Sequence, residues 1–252
     1  MTSSKPPRRK TAPDRLWLYG RHAVAAALAN PDRRVRRVLA TKNAADWLRQ
    51  TNAPTGEVYE IEDAKPDAID RALPPGAVHQ GLAAEVFDLP RARLKETCAP
   101  AEAGRPVVVL DQITDPQNIG AIFRSAAAFG AKAIIVQERR TPPLAGALAK
   151  AAAGGIETVP CIKAVNIARS LDALGELGYR TVGLAGEAEQ PVGAVAGDTP
   201  TALVLGAEGS GLRPLVAKTC AALARIPIAP AMESLNVSNA AAVALYALSA
   251  QQ

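Results

Sequence analysis

Apolar and polar positions begin to alternate at about Leu16, after an opening stretch rich in Ser, Lys, Pro and Arg. Short Val- and Leu-rich runs predict strands, and longer Ala-rich segments with apolar residues three and four positions apart predict helices. Asn30-Pro31 and Pro74-Pro75-Gly76 mark breaks between elements. This pattern predicts helices at 20–29, 44–50 and 66–73, and strands at 35–40, 57–61 and 82–86.

The alternation is stronger from Pro106 onward. Val107-Val-Val-Leu110 is a continuous apolar run, which is typical of a parallel strand covered on both faces. Further strands are predicted at 134–136, 157–160, 181–184, 202–205 and 223–228, and helices at 119–129, 144–153, 166–177 and 235–250. Repeated strand–helix units favour an α/β fold with a mostly parallel, doubly wound sheet.

Two polar stretches divide the chain. Residues 1–13 hold too few apolar side chains to bury, so we expect a disordered basic tail there. Residues 90–104 are polar and flanked by proline, as a linker would be. We therefore predict a small α/β domain at 14–89 and a larger α/β domain at 105–252.

Positive charge is concentrated near the N-terminus. The net charge of the chain is +5, while residues 1–50 contain twelve Lys and Arg against three Asp and Glu. Counterion release draws such charge to nucleic-acid phosphates, although a solubilising tail and a solvated helix end would give the same composition. Aromatic residues are only 4% of the chain, which argues against recognition built mainly on base stacking.

Composition also disfavours several other classes of protein. Three cysteines without C-x-x-C spacing and only two histidines predict no disulfide framework and no metal centre. The basic N-terminus lacks the apolar core of a signal peptide, and we find no apolar stretch of about 18 residues that would span a membrane. We therefore expect a cytoplasmic protein.

A glycine-rich segment, Gly206-Ala-Glu-Gly-Ser-Gly211, follows one of the predicted strands. It satisfies the G-x-x-x-x-G spacing of a phosphate-binding loop, but Leu212-Arg213 stands where a Walker A motif has Lys followed by Ser or Thr. Its glycine order also differs from the G-x-G-x-x-G of dinucleotide sites. The segment is therefore either an ordinary turn or a loop whose backbone a ligand approaches, with Glu208 as its acidic side chain.

Two further segments place polar side chains after apolar runs. The first carries Asn118 and Arg124, and the second carries Asn236 and Ser238. Taken singly, the Asn and Ser residues are good helix caps, and Arg124 could pair with a surface carboxylate. Taken together with the glycine-rich segment, loops at the carboxyl ends of parallel strands could converge on one ligand site.

In content and order, these segments resemble the three motifs of the SpoU (TrmH-type) RNA ribose 2′-O-methyltransferases of the SPOUT superfamily. The segments run over residues 111–125, 203–213 and 226–239. Two N-terminal sequences, Leu18-Tyr-Gly-Arg-His-Ala-Val24 and His79-Gln-Gly81, resemble the substrate-binding domain of the RlmB-like branch. That branch methylates a guanosine ribose in large-subunit ribosomal RNA.

The resemblance implies that the C-terminal domain contains a deep trefoil knot and binds S-adenosyl-L-methionine (AdoMet). The positions that match the cofactor site are Gly206, Ile226 and Leu235, with Leu205, Ala185 and Gly186 as walls of the adenine pocket. The positions that match the polar catalytic set are Asn118, Arg124, Glu208, Asn236 and Ser238. Ala231-Met-Glu233 is bulkier than the small residues expected in the cofactor loop.

The resemblance also implies methyl transfer to a ribose in structured RNA, with ribosomal RNA favoured over tRNA. Because a guanidinium keeps its proton near neutral pH, Arg124 is expected to clamp the target phosphate and stabilise the developing alkoxide. Glu208 and Asn236 would hold Arg124 and the ribose, and an RNA phosphate or water would accept the proton. A catalytically silent RNA-binding protein is the alternative. The apolar segment 240–248 predicts a homodimer.

Overall fold

The computed structural model describes residues 15–51, 59–195 and 199–249. Within these ranges the chain forms two α/β units that follow each other in sequence. The basic tail predicted for residues 1–13 lies outside the described residues. The α/β architecture predicted from the pattern of strands and helices is confirmed.

The first unit is a four-stranded mixed sheet with three helices. Its elements are β1 (Arg15–Tyr19), α1 (Arg21–Ala29), β2 (Val35–Ala40), α2 (Lys42–Gln50), β3 (Ile61–Asp63), α3 (Pro66–Ala72) and β4 (Leu82–Phe87). The strand order is β1-β4-β2-β3, in which β4 is antiparallel to both of its neighbours and β3 is parallel to β2. Helices α1 and α2 pack on one face of this sheet, and α3 covers part of the other.

The second unit is a six-stranded parallel sheet between helices. Its elements, with one helix that precedes them, are α4 (Leu94–Cys98), β5 (Val107–Leu110), α5 (Pro116–Ala128), β6 (Ala133–Gln137), α6 (Gly146–Ala152), α7 (Gly155–Thr158), β7 (Cys161–Ala164), α8 (Ile167–Glu176), β8 (Arg180–Leu184), α9 (Val192–Val195), β9 (Thr201–Leu205), α10 (Pro214–Thr219), β10 (Ala222–Ala224) and α11 (Val237–Ser249). Every strand pair in it is parallel, as the continuous apolar runs predict.

The strand order of the second sheet is β10-β8-β9-β5-β6-β7. The chain runs outward from β5 to β7, crosses to β8, returns to β9 beside β5, and finishes at β10 on the far edge. The direction of the connections therefore reverses next to β5. At such a reversal, a crevice opens at the carboxyl ends of the strands. Among the residues that the structure describes, no helix combines the length and the apolar run needed to cross a bilayer.

The two units share a core and a buried ion pair. Arg33, in the loop before β2, is fully buried, and its Nε and Nη2 donate to the Glu157 carboxylate of α7 at 2.6 to 3.1 Å. Its Nη1 donates to the carbonyl oxygen of Phe87 at 2.9 Å, and Asn30 Nδ2 donates to Glu157 Oε2 at 2.8 Å. Part of the basic charge at the N-terminus is therefore structural.

Several element boundaries differ from the predictions. The strand predicted at 157–160 is wrong, because Gly154 adopts a left-handed conformation (φ 100°) after α6 and the chain restarts as the helix α7. Residues 57 and 58 of the predicted strand 57–61 lie outside the described residues, and β3 begins at Ile61. The sequence pattern did not predict β1, α4, α7, β7, α9 or α10, and β10 ends at Ala224 instead of residue 228.

The segment predicted as a linker, residues 90–104, contains α4 and packs against the second unit. Cys98 is fully buried, and its carbonyl oxygen accepts a hydrogen bond from the Tyr179 hydroxyl at 2.8 Å. Lys132 Nζ donates to Glu102 Oε1 at 2.6 Å. Polar composition did not distinguish an ordered connection of this kind from a flexible one.

We expect Glu157→Ala to destabilise the protein strongly. The change leaves the buried Arg33 charge without its partner, and breaking a buried pair in this way costs about 3–5 kcal/mol. Urea denaturation measures the loss. The matched control is Asp46→Ala, which breaks an exposed pair with Arg49 and should change the free energy of unfolding by less than about 1 kcal/mol. Equal effects of the two changes would contradict the structural role of Arg33.

Candidate active site

Three neighbouring strands bring the predicted cofactor positions to one edge of the parallel sheet. Gly183 of β8 lies opposite Val204 of β9, and Ala224 of β10 lies opposite Leu184 of β8. The residues that follow these strands, Ala185-Gly186, Gly206 and Ile226, therefore emerge side by side. Their alignment is held by a hydrogen bond from the Ala185 amide to the Ala224 carbonyl oxygen at 3.0 Å. Leu205 is buried at the end of β9.

Three polar side chains from distant segments meet beside that row. Asn236 Nδ2 donates to Glu208 Oε1 at 2.6 Å and to Asn118 Oδ1 at 3.0 Å. Asn118 Nδ2 donates in turn to Glu208 Oε1 at 3.3 Å. We call Asn118, Glu208 and Asn236 the polar triad. Each member comes from a different one of the three segments, so the predicted convergence of these segments is found.

Helix caps explain why the polar triad can form. Asp115, not Asn118, caps α5, since its carboxylate accepts from the amides of Gln117 and Asn118 at 2.6 and 2.9 Å. The Asn118 side chain is thereby left for the triad. At α11, Asn236 Oδ1 accepts from the Ser238 amide at 2.9 Å and from its hydroxyl at 2.6 Å. Asn236 therefore serves as a helix cap and as a triad member.

Glu208 lies at the N-terminal end of α11. Its Oε1 accepts a hydrogen bond from the Val237 amide at 3.3 Å in addition to those from the two asparagines. The partial positive charge of a helix N-terminus favours a carboxylate at this position. These three hydrogen bonds hold one oxygen of Glu208 in place.

Arg124 lies two turns along α5 from the triad and is exposed. Its guanidinium makes no hydrogen bond or ion pair with the part of the chain that the structure describes. Glu208 and Asn236, which were expected to hold it, bond to each other and to Asn118 instead. The helix backbone at this point is fixed by close packing, because a Cβ built on Gly155 would approach the Phe123 carbonyl oxygen to 2.6 Å.

The glycine-rich loop is a tight hairpin. Ala207 and Gly211 exchange backbone hydrogen bonds of 3.1 and 2.9 Å, and Gly209 and Gly211 have positive φ angles. A Cβ built on Gly206 would overlap the backbone of Gly211 and Leu212, which folds back over it. Gly206 is therefore required by the close approach of its own loop, whatever a ligand requires of it.

An ion pair that sequence reasoning missed anchors this loop. Asp111, fully buried after β5, accepts from Arg213 Nε at 2.8 Å, from Arg213 Nη2 at 2.6 Å and from the Arg213 amide at 3.1 Å. Asp111 lies in the segment 111–125 and Arg213 in the segment 203–213. An acidic residue at the end of a strand and an arginine after a glycine-rich loop were the sequence features that could have indicated this pair. The pair joins the end of β5 to the end of the hairpin.

The segment 226–236 borders the site with apolar side chains. Ile226 packs partly into the core, and Ile228, Met232 and Leu235 are exposed. Gly186 is exposed, and a Cβ built on it meets no atom within 4 Å, so this position is open to solvent. The sheet edge therefore offers apolar surface and backbone groups on one side and the polar triad on the other.

Other reactive groups and cavities lie elsewhere. A cavity of about 580 Å³ opens between the two units, next to Asp88 and Glu157, and contains none of the predicted site residues. Burial raises the pKa of the Cys98 and Cys220 thiols to about 11 and that of Cys161 to about 12. These thiols stay protonated near neutral pH, which makes them poor nucleophiles.

The two N-terminal sequence signatures meet at the start of α1. Gln80 Oε1 accepts a hydrogen bond from the Arg21 amide at 3.2 Å. Gly20 and Gly81 both have positive φ angles, and a Cβ built on Gly20 would come within 3.5 Å of the Lys150 side chain on α6. The signatures therefore shape the junction of the first unit with the second.

Two family models match the chain. The SpoU rRNA Methylase family matches residues 105–246, and the RNA 2′-O ribose methyltransferase substrate binding family matches residues 17–92. The first match covers the whole parallel sheet with its polar triad, and the second covers nearly all of the mixed sheet. The chain belongs to the SpoU rRNA methylase family.

Its similarity to curated relatives extends over most of the chain. The 23S rRNA (guanosine-2′-O-)-methyltransferase RlmB of Vibrio cholerae is 38% identical over 235 residues, which are 91% of this chain and 94% of the relative. The enzyme of the same name from Pseudomonas aeruginosa is 34% identical over 238 residues, with 93% and 96% covered. The SpoU methyltransferase AviRb from Streptomyces viridochromogenes has a solved structure with a TM-score of 0.77 and 25% identity, which covers 94% of this chain and 89% of AviRb. AviRb has also been solved in complex with AdoMet.

We expect Gly206→Ala to destabilise the protein by about 1–3 kcal/mol, the range for forcing extra atoms into a packed site. The added methyl collides with backbone and not with a flexible side chain, so the hairpin must shift. The control is Gly175→Ala, at an exposed position of α8 where a Cβ meets nothing within 4 Å. This control should leave stability equal or raise it by up to about 1 kcal/mol. Equal melting temperatures of parent and Gly206→Ala protein would refute the packing argument.

Proposed function

We propose that the protein transfers a methyl group from AdoMet to the ribose 2′-hydroxyl of a guanosine in 23S ribosomal RNA. The observation that carries the proposal is the polar triad, assembled at the carboxyl edge of a parallel sheet in a chain of the SpoU family. Relatives named for this reaction align with more than nine tenths of the chain. Action on ribosomal RNA supports the cytoplasmic location expected from the sequence.

The chemistry of the predicted cofactor positions supports AdoMet as their ligand. Gly206, Ile226 and Leu235 would offer backbone groups around the hairpin and the apolar segment, and Ala185-Gly186, where Gly186 is exposed, would border the adenine. AdoMet supplies a methyl group on a positively charged sulfur. The trefoil knot that the family resemblance implies around this site stays a prediction.

The chain's own residues would align the ribose and stabilise charge. Alignment of an oxygen behind a transferable methyl can lower the barrier by roughly 7–11 kcal/mol in well-oriented systems. The triad is held by several hydrogen bonds, so it forms a preorganised surface for the ribose, with Ser238 fixing the Asn236 amide. Arg124, with its guanidinium exposed, would clamp the target phosphate and stabilise the developing alkoxide. An RNA phosphate or a water would take the proton, since a guanidinium does not act as a base.

We expect Arg124→Ala to lower the rate of methyl transfer by about 10²–10³, the cost of losing one electrostatic stabiliser. AdoMet affinity, measured by calorimetry, should stay near the parent value because Arg124 lies on the RNA side. The control is Arg105→Ala, an exposed arginine paired with Glu102 far from the triad. Equal turnover of parent and Arg124→Ala protein under saturating RNA would refute the assignment.

Experiment separates this function from the two alternatives that the sequence offered. A catalytically silent RNA-binding protein would not need the complete triad, and titration with AdoMet separates it from an enzyme. The target could also be a tRNA ribose. Mass mapping of ribose methylation in RNA from a deletion strain distinguishes the two targets, since the missing methyl group identifies the nucleotide.

We also propose that the protein is a homodimer joined through α11. Val243 and Tyr246 are large apolar residues of α11 that are 43% and 63% exposed. The Tyr246 ring meets the Phe129 ring edge to face, with 6.1 Å between the ring centroids. A helix that is apolar on all sides is stable when most of them are covered, and a second copy would cover this side in a two-fold interface.

Light scattering tests this proposal. The parent protein should have the mass of two chains at micromolar concentration, and Tyr246→Asp should shift it toward one chain, because a charge at the centre of an apolar interface lacks a partner. The matched control is Thr219→Asp on α10, away from the proposed interface. A parent protein with the mass of one chain and full activity would exclude the dimer.

A further inference from the structure

One face of the mixed sheet is only half covered. The strand register places side chains in rows across it: Tyr19, Ala83 and Leu39 form one row, and Trp17, Glu85 and Arg37 form the next. Helix α3 buries the first row with Ile69 and Leu73. In the second row, Trp17 packs against the edge of this cluster and Glu85 is nearly buried, while the Arg37 side chain is 38% exposed. The pair of Arg15 and Phe87 lies beyond that row.

A β-bulge adds an extra arginine to this open area. Val35 pairs with Val86, but the next pair is Arg37 with Glu85, so Arg36 is an inserted residue with no partner of its own. Successive side chains normally point to opposite faces of a strand, and a bulge redirects the extra one. Arg36 and Arg37 consequently both reach Glu85 Oε2, at 2.7 and 2.9 Å.

Glu85 holds the arginines together. Its carboxylate is nearly buried, and Arg15 Nη1 approaches its other oxygen to 3.8 Å. Burial by itself raises the pKa of Glu85, but the hydrogen bonds from Arg37 and Arg36 outweigh it, and the pKa is lowered. One carboxylate therefore stays ionised among three guanidiniums.

The arginines keep donors for a ligand. The side chains of Arg15, Arg36 and Arg37 remain 59%, 44% and 38% exposed. Arg37 also lies over the Trp17 ring at 5.3 Å, and Arg34 lies over the Phe87 ring at 4.6 Å. Such stacking holds a guanidinium flat and leaves its outer N–H groups for a phosphate. We call Arg15, Arg34, Arg36 and Arg37 with the two rings and Glu85 the arginine face.

The charge of the arginine face is positive. Its four guanidiniums are opposed by Glu85 and by Glu62, which lies 3.6 Å from Arg37, so two positive charges remain. Earlier in the sequence, the chain also carries Lys5, Arg8, Arg9 and Lys10. Arg33, by contrast, is fully buried against Glu157 and has no part in this surface.

We propose that the arginine face binds phosphates of the RNA substrate and holds that RNA while a ribose reaches the polar triad. In the other ion pairs of the described residues, no carboxylate pairs with more than one arginine. Glu85, by contrast, pairs with three arginines, Arg15, Arg36 and Arg37. Fork-shaped guanidiniums suit phosphate oxygens. The identity of the RNA rests on the proposed function, but binding to RNA phosphates does not require catalysis.

The test compares RNA binding by the full chain and by the double variant Arg15→Ala/Arg36→Ala. The probe is an unmodified 23S ribosomal RNA transcript, with an unrelated RNA duplex as a second probe. Affinity for both RNAs should fall roughly tenfold at moderate salt, because contacts to phosphates are lost. The plot of log affinity against log salt should also become less steep, by about 1 for each lost phosphate contact. The matched control is Arg93→Ala, an exposed arginine paired with Glu96, which should leave affinity and slope unchanged.

Substitution by lysine separates charge from folding. Arg15→Lys/Arg36→Lys should restore most of the affinity and the parent salt slope, with a melting temperature near that of the parent. The alanine variant leaves the nearly buried Glu85 with Arg37 as its main partner, so it should melt lower but stay folded at the temperature of the binding assay. Unchanged affinity and slope in the alanine variant would overturn the proposal. Equal losses in Arg93→Ala would overturn it too, because general positive charge would then explain the binding.

The failure of this proposal can be told apart from the failure of the proposed function. AdoMet binding and methyl transfer to the transcript are measured in the same parent protein. A parent that binds RNA through the arginine face but transfers no methyl group rejects the reaction alone. A parent that methylates the transcript, with the same affinity in the alanine variant, rejects the arginine face alone.

Discussion

The parallel pairing of β10, β8, β9 and β5 is the constraint on which the site depends. Parallel strands have their carboxyl ends at one edge, so four loops from a span of about 115 residues emerge together. Helices α5 and α11 begin at this edge, and their N-termini bring Asn118 and Asn236 to Glu208. A different strand order would leave the same residues in separate places.

Two ion pairs with buried carboxylates brace this arrangement. Asp111 binds Arg213 and ties the glycine hairpin to β5, while Glu157 binds Arg33 and ties the two units together. A buried charge without its partner carries a large desolvation cost. The loops are thus fixed by residues that need not touch a substrate, which suits a surface that must be preorganised before RNA arrives.

The basic residues of the first unit serve two different purposes. Arg33 is enclosed and structural, whereas Arg36 and Arg37 are turned to one face by a bulge and keep part of their surface in solvent. Arg33 therefore has a different environment from Arg36 and Arg37, although they are only three and four positions away in the sequence. The distinction follows from desolvation: a guanidinium surrounded by carboxylate and carbonyl oxygens has no donor left for a phosphate.

The sequence by itself determined most of the elements and the class of site. The continuous apolar runs gave β5 and β9 correctly, because a strand covered on both faces has no polar side. The segments 111–125, 203–213 and 226–239 indicated the family and the members of the polar triad. Tertiary structure alone decided that Asn118 bonds to Glu208 and Asn236, that Arg213 pairs with the buried Asp111, and that Arg33 is buried against Glu157. Each of these depends on atoms far apart in the chain, and periodicity reports only on neighbours three or four residues away.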